Sequence, residues 1–213
     1  MIELIKAAAE AHYLLKKQEI GDYSELKGHG MRFRTTVYDA EDIGRLCLME
    51  MKAFGGLMRM DTGVFSPVGR DGPIFSFDSI KAFGKETFLA ELYDTTLSHP
   101  AFEELGEVKK KYAYITAYDP GEHWYDNMRL PVSDYKKGRK IAPDVSKMMK
   151  EYSEVYFRLL DECDPCDPAA KKECNAVFVN GLLNNGGPAV NTFKKMIGEE
   201  KTEIFLKNYM FCC

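Results

Sequence analysis

Phe54-Gly55-Gly56-Leu57 constrains what this chain can fold into more than any other stretch. Gly-Gly supplies the positive φ that a tight hairpin turn needs at both of its central positions. Once that turn is placed, the flanking strands have a single register: Phe54 faces Leu57, Lys52 faces Arg59, and Glu50 faces Asp61. The two strands, read as 45–54 and 57–65, belong to a longer series. Runs at 30–38, 73–83, 86–95 and 111–118 also alternate apolar and polar residues. Their joints are short and carry Gly, at Gly55-Gly56, "SPVGRDG" and Gly84-Lys85. Joints of that length close antiparallel neighbours, because a parallel crossover takes about a dozen residues.

Beyond about residue 143 the period becomes helical. "PDVSKMMKEYSEVYFRLLDEC" opens on Pro143 and Asp144, and "AKKECNAVFVNGLL" follows. "PAVNTFKKMIG", with Pro188 at its start and Gly198 at its end, and "EEKTEIFLKNYMF" complete the series. At the other end, Ile2, Ile5, Ala8, Ala9 and His12 form one stripe of an amphipathic helix that gives way near Gly21 to the strands. Helices before and after one antiparallel sheet predict an α/β/α sandwich, and the length suits a single domain over residues 1–213.

A formal net charge of −4 argues against a general nucleic-acid binder. Two basic runs stand against that balance, Lys109-Lys110-Lys111 and Lys136-Lys137-Gly138-Arg139-Lys140, as solvated faces or as a docking patch for an acidic partner. No apolar run approaches the roughly 20 residues of a membrane span. The N-terminal stretch has early acids and no small-residue cleavage site, so the expectation is a cytoplasmic, monomeric protein without a membrane partner. Its six cysteines are then expected to be reduced. Cys163, Cys166 and Cys174 lie in "CDPCDPAAKKEC", but no second CxxC and no His after position 123 complete a ligand set, so no metal is expected.

The carboxylates carry the chemistry. Glu50 opposite Asp61 and Lys52 opposite Arg59 are like-charged cross-strand pairs, which destabilise unless the diagonals Glu50–Arg59 and Lys52–Asp61 relieve them. Leu46 and Leu48 flank Glu50 on the same face, a setting that raises a carboxyl pKa. On the next strand, Ile74, Ser76, Asp78 and Ile80 share one face, and Phe75, Phe77 and Ser79 the other. A carboxylate between two isoleucines is costly to bury. Asp78, Glu50 and Asp61 on neighbouring strands therefore read either as a proton-donating pocket or as a salt-bridged face. No dinucleotide fingerprint accompanies them, since "AFGGLM" and "NNGGP" lack the spacing.

The tract "GRLCLMEMKAFGGLMRMDTGVFSPVGRDGPIFSFDSI" resembles the pocket strands of the ferredoxin-dependent bilin reductases, with Phe65, Gly72-Pro73-Ile74-Phe75 and Asp78 in the positions of that family's motif. "NTFKKMIGEEKTEIFLKNYMF" is similar to the family's ending, and "GEHWYDNMRLP" to its intervening segment. The resemblance implies that Asp78 binds and protonates a bilin, that Glu50 is a further proton donor, and that Asp61 takes a position held by histidine in phycocyanobilin-forming members. It implies Asn184 or Asn185 in place of an Asn-Asp pair reaching the pocket, and puts Lys201 where a Trp is expected. Ser76 joins the expected substrate contacts, with Lys52 or Arg129 for the propionates. The chemistry so implied is reduction of biliverdin, a related bilin or an opened chlorophyll. It uses electrons from ferredoxin, radical intermediates and no bound cofactor, and the basic runs dock the acidic ferredoxin. A tetrapyrrole-binding protein without turnover, or a thiol or metal protein built on Cys163, Cys166 and Cys174, are the rival readings.

Overall fold

Residues 1–213 are described by a computed structural model, the side chain of Pro188 excepted. The alternating runs become strands β1 (Leu15–Gln18), β2 (Glu25–Gly28), β3 (Met31–Ala40), β4 (Gly44–Ala53), β5 (Met58–Pro67), β6 (Ile74–Ala82), β7 (Lys85–Tyr93) and β8 (Asp134–Gly138). They form one eight-stranded antiparallel sheet in the order β1-β3-β4-β5-β6-β7-β8, with β2 beside β1 on the outer edge of β3. The turn that fixed the register is there. Gly55 and Gly56 have φ of 63° and 93°, and the Leu57 amide donates to the Phe54 carbonyl at 3.2 Å. Phe54 itself leaves the extended region, so the ladder closes at Ala53–Met58, with Glu50 opposite Asp61 and Lys52 opposite Arg59.

Helices cover both faces. α1 (Ile2–Glu10), α2 (Leu105–Lys111) and α3 (Ala142–Glu162) lie on the face that carries Leu46, Phe65, Phe75, Phe77 and Phe88. α3 stays on that face because Val145, Met148, Met149, Tyr152, Tyr156 and Leu160 recur at helical spacing, all buried. Tyr156 satisfies its hydroxyl on the Pro73 carbonyl at 2.8 Å. The opposite face carries Phe33, Cys47, Met49, Met51 and Val64. It packs against α4 (Pro168–Asn185), α5 (Pro188–Ile197) and the π-turn Phe205–Met210 that continues α6 (Glu199–Ile204). The α/β/α sandwich is the observed architecture.

Two elements differ from the sequence reading. The N-terminal helix stops at Glu10, and Leu15–Gln18 already pairs with β3. The tract 111–118 is no strand: it follows α2 as turns, with one isolated bridge from Ala117 to Lys136. Its buried residues, Val108, Tyr112 and Ile115, follow a helical spacing. The edge of β7 is taken instead by β8, inside the second basic run. Lys136 is consequently buried against Asp134 at 3.2 Å. The first run stays at the surface, each side chain with a partner on this chain. Lys109 Nζ donates to the Ser133 carbonyl, Lys110 to Glu107 and Lys111 to Glu151.

Candidate functional site

The register decides which acids share a face. Directly opposed residues point the same way, and β5–β6 pairing sets Thr62 opposite Asp78, with Met49 opposite Thr62. Glu50, Asp61 and Lys52 point to the other side of the sheet. The expected three-acid pocket is therefore corrected: Asp78 stands on the face of the C-terminal helices, and Glu50 and Asp61 on the face of α1 and α3. There, Glu50 is exposed, and Asp61 accepts from the Met1 amino group at 2.9 Å. Both border a separate cleft of about 360 Å³ with Lys52, Arg59 and Lys81. Lys52 is likewise corrected as a partner for anything bound at Asp78.

Around Asp78 the helical cover is incomplete. α4, α5 and the π-turn bury Val37, Cys47, Met49 and Val64, whereas Ser76, Asp78, Ile80 and Leu89 stay half-buried. A hollow of about 330 Å³ continues along this face beside Ile80, lined by Ala82, Phe83, Lys85, Thr87 and Lys137. Burial raises the Asp78 carboxyl to about 6; the Thr62 hydroxyl, which donates to Oδ1, opposes the rise, and the charge of Glu91 adds to it. Among the described residues no hydrogen bond engages the other oxygen, Oδ2. Asp78 is thus a carboxyl poised to hold a proton near neutral pH, with one oxygen aligned and one available.

Sequence reasoning missed Glu91. It sits diagonally from Asp78, opposite Ser76, and is buried. Its two oxygens accept from the hydroxyls of Tyr93 and Tyr135, each at 2.7 Å. Both tyrosines are held far above the ordinary phenol range, first by burial and then by the Glu91 charge. The signal was present: "FLAELY" sets Glu91 between Leu89 and Tyr93 on one face, the same anomaly that drew attention to Asp78. Arg129 Nη1 lies 3.1 Å from Asp126 and 4.0 Å from Glu91, and its guanidinium sits 5.2 Å over the Tyr135 ring. The segment that carries it also supplies a rim. Tyr125 packs edge-on to Tyr93 at 5.5 Å, and Trp124 donates from Nε1 to the Gly186 carbonyl at 3.2 Å. Gly181 lets that indole approach, since a Cβ there would lie 2.3 Å from the ring.

Ser76 lies beside Asp78 on its strand, as read. Asn184 and Asn185 are exposed at the end of α4, Asn185 donating to the Gly181 carbonyl at 3.1 Å, and no hydrogen bond joins either to the Asp78 group. All six cysteines are free thiols, and among the described residues no three of His, Cys, Asp and Glu are grouped to hold a metal.

No family model matches the sequence, and no curated protein matches it. Solved structures do. Over 98% of this chain and 82% of the other, the molecule superposes on phytochromobilin synthase from tomato, solved in complex with biliverdin, with a TM-score of 0.76 at 16% identity. The fold is that of phytochromobilin synthase. With nearly the whole chain matched, the likeness to phytochromobilin synthase takes in the sheet and both helical layers. No helix among the described residues is long and apolar enough to cross a membrane.

Proposed function

We propose that this chain binds a linear tetrapyrrole, biliverdin or a related bilin, against the Asp78 face of the sheet and reduces it with electrons from ferredoxin. The carrying observation is the Asp78 carboxyl, half-open on a face lined by Met60, Ile80 and Leu89, with its pKa lifted to about 6. Methionine and aliphatic side chains give a broad, adaptable apolar contact of the kind a flat conjugated ligand needs. The shared fold with a biliverdin-bound enzyme supports that ligand class.

In this reading Thr62 fixes Oδ1 of Asp78, and the free oxygen meets the pyrrole nitrogens. After each electron arrives, the bilin radical takes a proton from Asp78, which is reprotonated from solvent before the next, and the Glu91–Tyr93–Tyr135 group holds the adjacent hydrogen-bond network in place. Ser76 shares the floor. Arg129, steadied by Asp126, offers a cation for a propionate at the rim. The electron carrier stays external, so no bound cofactor enters the scheme.

The test is a biliverdin titration followed by absorption. Binding near one to one, with a shifted and sharpened long-wavelength band, is expected; Arg129→Ala should weaken it by about tenfold, and a flat titration of the wild type refutes the reading. The exposed amides at 184 and 185 favour a second reading, a bilin-binding protein without turnover. Stoichiometric binding that survives reduced ferredoxin with the bilin unchanged would select it.

A further inference from the structure

One end of the sheet gathers the tips of three hairpins, β2–β3 at Gly30, β4–β5 at Gly55 and β6–β7 at Gly84. A Cβ added at any of these glycines meets nothing within 4 Å, so the turns face solvent, and the second and third tips lie side by side, the Phe83 amide donating to the Leu57 carbonyl at 3.4 Å. Two of them carry phenylalanine in the left-handed region, Phe54 at φ 51° and Phe83 at φ 49°. That conformation is costly for a bulky side chain, and Gly or Asn would relieve it. Both rings are nevertheless exposed, at 60% and 70%, beside Leu57 at 64%. Among the described residues their one aromatic partner is each other, at 6.4 Å. The fold gains little from aromatic residues at these positions.

Exposed cations surround the same tips. Lys52 and Arg59 stand at the base of one hairpin and Lys85 of another, while Arg139 and Lys140 follow β8, which ends at this edge opposite Glu86. Lys81 pairs with Glu86 and Arg32 with Glu25, but those five have no ion-pair partner among the described residues. On a chain of net charge −4 this is a marked local excess.

We propose that this end of the molecule docks on an anionic lipid surface. Phe54, Leu57 and Phe83 enter the boundary between headgroups and acyl chains, and the surrounding cations meet the lipid anions. Three exposed apolar side chains ringed by unpaired cations suit an anionic bilayer, whose boundary takes aromatic and aliphatic groups beneath lipid anions, better than a protein partner, whose interface core excludes lysine. Hydropathy excluded only spanning segments, and a surface contact of this kind needs none. The hollow lined by Phe83 and Lys85 lies at this same end of the sheet.

Co-sedimentation with vesicles tests this, using phosphatidylcholine alone and phosphatidylcholine mixed with phosphatidylserine. The wild type should bind the mixed vesicles, release them at high salt and ignore the neutral ones. The double variant Phe54→Asn, Phe83→Asn should lose roughly tenfold or more of that binding while its unfolding temperature holds or rises, because asparagine relieves the backbone. Absence of binding to the mixed vesicles, or equal binding by the folded double variant, overturns the proposal. So does a self-associated dimer, or a complex with an acidic iron–sulfur protein, that the double variant abolishes while vesicles go unbound.

Discussion

A carboxyl lifted from 3.8 to about 6 by burial holds its proton more firmly in the folded chain than in the unfolded one. Below the unfolded value both states are protonated and the full stability is present. As pH rises through about 6 the folded state must bear a buried charge, and that stability is lost, by at most about 3 kcal/mol. Asp78→Asn carries no such penalty. Urea unfolding at about pH 4 and about pH 8 should therefore show the variant gaining about 1–3 kcal/mol on the wild type at the higher pH, and a constant gap would mean that Asp78 ionises freely. Glu91→Gln should move that transition to lower pH, since the Glu91 charge is among the causes of the rise; a carboxyl NMR titration reads the midpoint, and an unmoved midpoint would separate the two acids. Asp78 was legible in the sequence because a lone acid in an apolar alternation stands out within one strand. Its neighbours were not. Their identity depends on pairing across the loop from 68 to 73, which carries no register signal, and a step of one residue turns Glu50 and Asp61 in place of Met49 and Thr62.

Strands and helices were readable where a period ran long enough, or a turn was tight enough, to exclude the alternative. The Gly55-Gly56 hairpin kept its register although Phe54 left the ladder. Tract 111–118 failed because tyrosines spaced by two imitate a strand, while burial follows Val108, Tyr112 and Ile115. The true eighth strand hid in a basic run, which reads as surface until Asp134 is seen buried with Lys136. Glycines within elements divide in the same way. At Gly63 in β5 an added Cβ would lie 2.2 Å from the buried ring of Phe77, so Gly63→Ala should cost about 1–3 kcal/mol by overpacking. Gly55→Asn, at an open turn position with φ of 63°, should cost a few tenths of that. Chemical denaturation of the two variants makes the comparison, and equal losses would contradict the packing described for β5.

Across the whole molecule, one sheet anchors both helical layers, and the two cores share every strand from β3 to β7. Far-ultraviolet and near-ultraviolet signals should therefore report a single coincident unfolding transition; separated transitions would break the chain into independent units. The same arrangement leaves Asp78 on a partly uncovered patch between the C-terminal helical layer and the rim built by Trp124, Tyr125 and Arg129, and the functional account rests on that placement. The most direct measurement is anaerobic turnover of biliverdin with reduced ferredoxin, wild type beside Asp78→Asn, followed by absorption, electron paramagnetic resonance and product chromatography. The account predicts reduced bilin from the wild type, and from Asp78→Asn a bound bilin that accepts one electron and accumulates as a coloured radical awaiting its proton. Normal products at the wild-type rate from Asp78→Asn would contradict it.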